Sequence, residues 1–85
     1  VLKILIIRFS SIGDIVLTTP VLRILKNTAG LETEVHYATK KAFASFLGNN
    51  PYIDLVHTYD GNLADLVRRL RAEKFDYVID LHNIL

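Results

Sequence analysis

Apolar and polar residues fall in blocks along this chain that switch between a strand period and a helix period. Lys3 to Phe9 is a nearly unbroken apolar run, as expected of a strand covered on both faces. A helix follows, carrying Ile15, Val16, Leu17, Val21, Leu22, Ile24 and Leu25 on one broad apolar face and closing near Asn27 to Gly30. Pro20 interrupts it and leaves two arrangements open. Either the helix starts near Gly13 and kinks at Pro20, or it starts later with Thr19 as N-cap and Pro20 in the first turn. The longer, kinked helix is the expectation.

Glu34 to Thr39 predicts a second strand, and Lys40 to Leu47 a short helix with Phe43, Phe46 and Leu47 on one side, ended by Gly48-Asn49-Asn50-Pro51. Asp54 to Tyr59 predicts a third strand. Asp60-Gly61-Asn62 then turns into a helix that Asn62 caps, with Leu63, Leu66, Val67 and Leu70 facing inward. Tyr77 to Leu81 predicts the fourth strand. The order βαβαβαβ calls for an α/β fold, a parallel sheet with right-handed crossovers and flanking helices, and strand order 3-2-1-4 is taken as the expectation. Three helices cannot cover both faces of four strands, so residues 1–85 are expected to be an incomplete domain. The mean hydropathy of +0.28, high for so small a domain, and a first residue other than Met point the same way.

Composition narrows the classes. The 85 residues include ten basic and nine acidic side chains, for a net charge of +1, so no electrostatic footprint for a nucleic acid is present. No apolar run approaches the ~18 residues of a spanning helix, and no leader pattern is visible. The absence of cysteine excludes disulfides and thiol catalysis. Three scattered histidines without a second ligand cluster argue against a structural zinc site, so no metal ligands are assigned. His36 and His57 lie inside strands and read as packing residues.

In an open parallel sheet, ligands bind beyond the carboxyl ends of the strands, which directs attention to Ser10-Ser11-Ile12-Gly13-Asp14. Ser10 and Ser11 offer hydroxyls, Gly13 lets a ligand approach the backbone, and the helix start offers free N–H groups to phosphate or carboxylate. Asp14 is the acid of this turn. It reads either as a general base or as a first-turn acid that suits the helix dipole. A single glycine in place of Gly-x-Gly-x-x-Gly weakens a dinucleotide-binding reading. Lys40, after the second strand, stands at the same edge and could neutralise an anion. His82 and Asn83, after the fourth, could hydrogen-bond a sugar or phosphate, while Asp80 before them could hold loop backbone donors. Arg68, Arg69 and Arg71 lie late in their helix, where positive charge suits the dipole, and read as a solvated face. The four tyrosines read as core or rim.

Residues 4 to 26, Ile-Leu-Ile-Ile-Arg-Phe-Ser-Ser-Ile-Gly-Asp-Ile-Val-Leu-Thr-Thr-Pro-Val-Leu-Arg-Ile-Leu-Lys, closely resemble the amino-terminal signature of the ADP-heptose lipopolysaccharide heptosyltransferases, glycosyltransferase family 9. Asn50 to Val56 resembles that family's turn before its third strand, and Phe75 to Asn83 its fourth-strand motif. The resemblance implies the amino-terminal, acceptor-side part of a GT-B enzyme, two Rossmann-like domains across a cleft, with inverting and metal-independent transfer. It implies Asp14 as catalytic base, with Ser10, Ser11 and Gly13 shaping the acceptor pocket. It further implies ADP-heptose as donor substrate, held mainly by a second domain that these residues do not contain, and no other cofactor. The acceptor would be a lipid A core presented at the cytoplasmic face of the inner membrane, with peripheral membrane contact by the whole protein.

Other classes remain open on the residues alone. A different nucleotide sugar in the same architecture is one. A non-catalytic flavodoxin-like or receiver-like module is another, although Phe9-Ser10-Ser11 lacks the paired acid a receiver needs. An interaction segment whose bare sheet face docks on a partner is the third.

Overall fold

The computed structural model describes residues 2–9, 12–28 and 32–81. Four strands, β1 (Leu2–Ile7), β2 (Thr33–Lys40), β3 (Leu55–Tyr59) and β4 (Tyr77–Asp80), form one parallel sheet in the order β3-β2-β1-β4, as the alternation predicts. Between them run α1 (Ile12–Val16), α2 (Thr19–Thr28), a 3₁₀ turn (Lys41–Phe43) leading into α3 (Ala44–Leu47), and α4 (Leu63–Glu73).

The alternation of side chains sorts β1 and β2 onto two faces. On one face Ile4, Ile6, Val35 and Tyr37 form the main core with Ile15 of α1, Leu22 of α2 and Leu47 of α3. On the other lie Leu5, His36, Ala38 and His57, all buried, beneath α4, whose own buried residue is Leu66. Part of this face stays open. Leu55, Val67 and Val78 are exposed there, and Leu5, Val67, Leu70, Arg71, Phe75 and Val78 line an apolar groove of about 230 Å³.

The helix before β2 differs from expectation. It is not one kinked helix but two, interrupted at Leu17 and Thr18. An unbroken helix would need Pro20 to donate to the Val16 carbonyl, and proline has no N–H to give. Instead the Thr18 N–H and hydroxyl both turn back to the Ile15 carbonyl, at 3.1 and 2.5 Å. The ladder then restarts, with the Leu22 N–H donating to the Thr18 carbonyl at 3.1 Å. Pro20 thus occupies the first turn of α2, where its missing donor costs little. The expected broad apolar face also narrows to the stripe that meets the sheet. Leu22 is buried and Leu25 partly so, while Val16, Leu17, Val21 and Ile24 face outward.

Two other expected faces shift in the same way. Leu47 is buried but Phe46 is exposed, and on α4 Leu63 and Val67 are exposed while Leu66 is enclosed. The Asn62 cap forms as predicted, its side-chain oxygen accepting from the Asp65 N–H at 3.0 Å.

One device is used twice at the amino ends of the strands. Asp54, just before β3, accepts the Val35 N–H at 2.7 Å and returns its own N–H to the Val35 carbonyl at 2.8 Å. Asp76, just before β4, does the same to Lys3 of β1, at 2.8 and 2.9 Å. Lysines complete both clamps. Lys26 Nζ bonds Asp54 and the Thr33 carbonyl, and Lys3 Nζ bonds Glu73 through its carboxylate and its carbonyl.

Candidate functional site

At the carboxyl ends of the strands, Ile7 of β1 stands between Ala38 and Asp80. The next residue, Arg8, still donates its N–H to the Ala38 carbonyl at 3.1 Å, so its side chain leaves a fixed backbone. One guanidinium nitrogen meets Asp14 Oδ2 at 2.9 Å and the other donates to the Leu81 carbonyl beyond β4. Arg8 Nε is buried with no hydrogen-bond partner among the described residues. Arg8 therefore links the end of β1, the end of β4 and α1, and it sets the direction of the Asp14 carboxylate. Half of the Asp14 side-chain surface remains open to solvent, against about a quarter for Arg8. Ion pairs this exposed orient more than they stabilise.

Asp14 follows Gly13 in the first turn of α1, and the buried Ile15 behind it pegs that turn to the core. A Cβ on Gly13 would meet nothing within 4 Å, so packing in the fold does not require glycine there. The helix-dipole argument for an anion site is corrected by the length of α1. Five residues sum too few peptide dipoles to make a strong N-terminal field, and the charge that Asp14 meets is Arg8.

Lys40 ends β2 and is exposed at the same sheet edge. It does not share the cluster at Asp14. With Phe9, Tyr59 and Leu63 it lines a separate shallow cavity of about 200 Å³, in which the Phe9 and Tyr59 rings sit 5.8 Å apart. Ser10, Ser11, His82 and Asn83 lie outside the described residues. Of the arginines on α4, Arg68 and Arg69 both pair with Asp65, and Arg69 also donates to the Thr58 carbonyl at 2.9 Å, a structural tie between α4 and β3.

The sequence reading missed Arg8. Its signal was a lone cation closing an apolar strand, but the meeting with Asp14 depends on how α1 docks. His36 and His57 are buried in strands as expected, and they are also joined, His36 Nδ1 to His57 Nε2 at 2.8 Å. Burial is the main cause that pushes the His57 pKa below its ordinary value of 6.5. The neighbouring His36, Arg69 and Lys3 add to this and Glu73 opposes it. A lowered folded-state pKa means that the unfolded chain takes up the proton first as pH falls. Stability carried by neutral His57 is then present above the unfolded value and is lost progressively below about pH 6.5. Thermal unfolding in metal-free buffer should show Tm falling between pH 7 and pH 5, with a shallower fall in His57→Gln. An equal fall in both would remove His57 as the cause.

No protein-family model matches the chain. Lipopolysaccharide heptosyltransferase 1 of Campylobacter coli is 31% identical to it over 90 residues, covering 99% of this chain and 26% of that protein. The crystal structure of a family 9 glycosyl transferase from Veillonella parvula superposes with a TM-score of 0.86 at 27% identity, over 96% of this chain and 26% of that one. The chain thus spans about a quarter of the length of either relative. Sequence along nearly the whole chain and fold thus agree in their likeness to a lipopolysaccharide heptosyltransferase and to a family 9 glycosyl transferase.

Proposed function

We propose that this chain forms the acceptor side of a heptosyltransferase that moves heptose from ADP-heptose to the inner core of lipopolysaccharide, with Asp14 as general base. The observation that carries this reading is the half-exposed Asp14 carboxylate at the carboxyl edge of the sheet, aimed by Arg8 at 2.9 Å. There it is accessible to a sugar hydroxyl and its orientation is fixed before the sugar arrives.

In the proposed step, Asp14 takes the proton of an acceptor hydroxyl as that oxygen bonds to the anomeric carbon of the donor. The bond from that carbon to the diphosphate oxygen breaks, ADP leaves with the electron pair, and configuration inverts. No atom of the chain joins the sugar. Arg8 holds the base in line, and Ser10, Ser11 and Gly13 border the acceptor. Lys40, His82 and Asn83 would serve anionic or hydroxyl groups of the substrates. A second, donor-holding domain would complete a GT-B cleft at the cytoplasmic face of the inner membrane. Among the described residues no helix is long and apolar enough to cross a membrane, and contact with the lipid acceptor would be peripheral.

The test is ADP release by the protein that carries this sequence, given ADP-heptose and a Kdo-terminated lipid A acceptor. Release that requires both substrates is expected. Release from another nucleotide sugar alone would reassign the donor, and no release from any nucleotide sugar by the folded protein would overturn the transferase reading.

Gly13 supplies a second check. Gly13→Ala should stabilise α1 by up to about 1 kcal/mol, because alanine loses less backbone freedom in a helix. Its methyl would enter the open space beside Asp14 and should raise the acceptor KM several-fold. A higher Tm with an unchanged KM would place the acceptor elsewhere.

A further inference from the structure

The histidine pair under α4 has a third neighbour. One ring nitrogen from each of His36 and His57 and a carboxylate oxygen of Glu73 all lie within 4.8 Å of one another. We propose that His36, His57 and Glu73 bind one divalent ion of the zinc class, with Glu34 as the carboxylate that orients His36.

Tetrahedral coordination with bonds of about 2.0–2.1 Å places ligand atoms roughly 3.3–3.4 Å apart. The two imidazole nitrogens are 2.8 Å apart and pointed at each other, so an ion enters by replacing their shared proton, with both rings turning off the N–N line and the nitrogens parting by about half an ångström. The rings lie edge to edge and nearly coplanar, with centroids 5.1 Å apart and planes at 14°, and the Phe75 ring meets His36 edge-on at 4.9 Å. Glu34 Oε1 lies 2.6 Å from His36 Nε2. That contact fixes the proton on Nε2 and leaves the Nδ1 lone pair for the ion, the carboxylate–histidine–metal arrangement common around zinc.

Glu73 is held as well. Lys3 Nζ bonds its Oε1 at 2.8 Å and its carbonyl at 2.6 Å, which anchors the carboxylate beside the histidines. Two nitrogens and one oxygen suit zinc, cobalt or nickel, whereas magnesium and calcium require oxygen on nearly every side. Lys3 and Arg69 oppose the added charge, and the carboxylates of Glu34 and Glu73 offset them.

The ligands join β2, β3 and the last residue of α4. In a parallel sheet that end of α4 lies toward the amino ends of the strands, away from Asp14, so the ion takes no part in sugar transfer. Its effect is to fasten α4 to the sheet.

The experiment uses chelator-stripped protein that carries this sequence, with zinc, cobalt and magnesium chlorides as probes. Titration calorimetry should give one zinc per chain, Tm should rise by several degrees to saturation, and cobalt should develop the visible absorption of a tetrahedral site. Magnesium should do none of this. Glu73→Gln, a partly exposed change that leaves the fold intact, should weaken zinc at least about tenfold and alter the cobalt spectrum, and Glu34→Gln should weaken it about 10- to 100-fold. His57→Asn should abolish binding. No saturable zinc binding, or binding and a cobalt spectrum unchanged in Glu73→Gln and Glu34→Gln, would overturn the proposal without touching the transferase reading.

Discussion

Asp14→Asn is expected to lower acceptor-dependent ADP release by about 10²- to 10⁴-fold in kcat, the range that a positioned general base contributes. That span corresponds to roughly 2.7–5.5 kcal/mol of barrier. The structural cost should be far smaller. The Arg8–Asp14 pair is part-exposed on both sides, and such pairs contribute at most about 1 kcal/mol to folding. Asparagine keeps the shape and can still face Arg8, but it cannot accept the proton. Turnover and Tm measured on the same preparations therefore separate the two roles that the sequence left open for this acid. A large fall in kcat with a nearly unchanged Tm fits the base; a fall in Tm with near-normal turnover fits a structural acid and ends the proposed mechanism.

The second large effect falls on the neighbouring residue. Ile15 is fully buried in the main core and is the peg by which α1 holds the sheet. Ile15→Ala removes most of a buried side chain and leaves a void in the core cluster that Ile15 shares with Ile4, Ile6 and Tyr37, for a loss of about 2–5 kcal/mol. A domain of this size has only about 4–13 kcal/mol of stability in total. Urea unfolding should show a lower midpoint with an unchanged slope, and Ile15→Val a much milder loss of about 0.5–1.5 kcal/mol. A loss below 1 kcal/mol in Ile15→Ala would mean that α1 is not docked as described. Because Asp14 and Ile15 share one short turn, kcat should fall in Ile15→Ala although the base is still present.

Much of the scaffold was legible because it rests on local pattern. Apolar runs of strand length, the turn at Asp60-Gly61-Asn62 and the requirement for crossovers pointed to four parallel strands, and the expected order 3-2-1-4 is the one observed. The break at Leu17–Thr18 was harder to see. Two threonines before a proline permit both a kink and a fresh start, and only the return of Thr18 to the Ile15 carbonyl decides between them. Burial on α2 and α4 was over-assigned because both helices carry more apolar residues than the stripe touching the sheet can hide.

The place of Gly13 and Asp14 in the turn after β1 could be read from the sequence, whereas the contact of Arg8 with Asp14 could not, since an ion pair between a strand end and the next helix is a product of docking. The histidines show the same limit. They are 21 positions apart, and their meeting follows from register, with His36 opposite Leu55 and His57 opposite Ala38 on neighbouring strands. The clue available beforehand was that both fall on the same face once β2 and β3 are aligned.

Register also ties the Asp76 clamp on β1 to chemistry at the opposite edge. Parallel strands have no hairpin turn to fix their offset, and a slip of one residue sends every side chain to the other face. A slip of β1 by one place would exchange Arg8 for Phe9 beside Asp14. The partner of the proposed base would become a benzyl ring, with the guanidinium turned toward Lys40. An aspartate that never meets a substrate thus helps decide which side chain does, and a substitution at Asp76 can silence the site from the far end of the sheet.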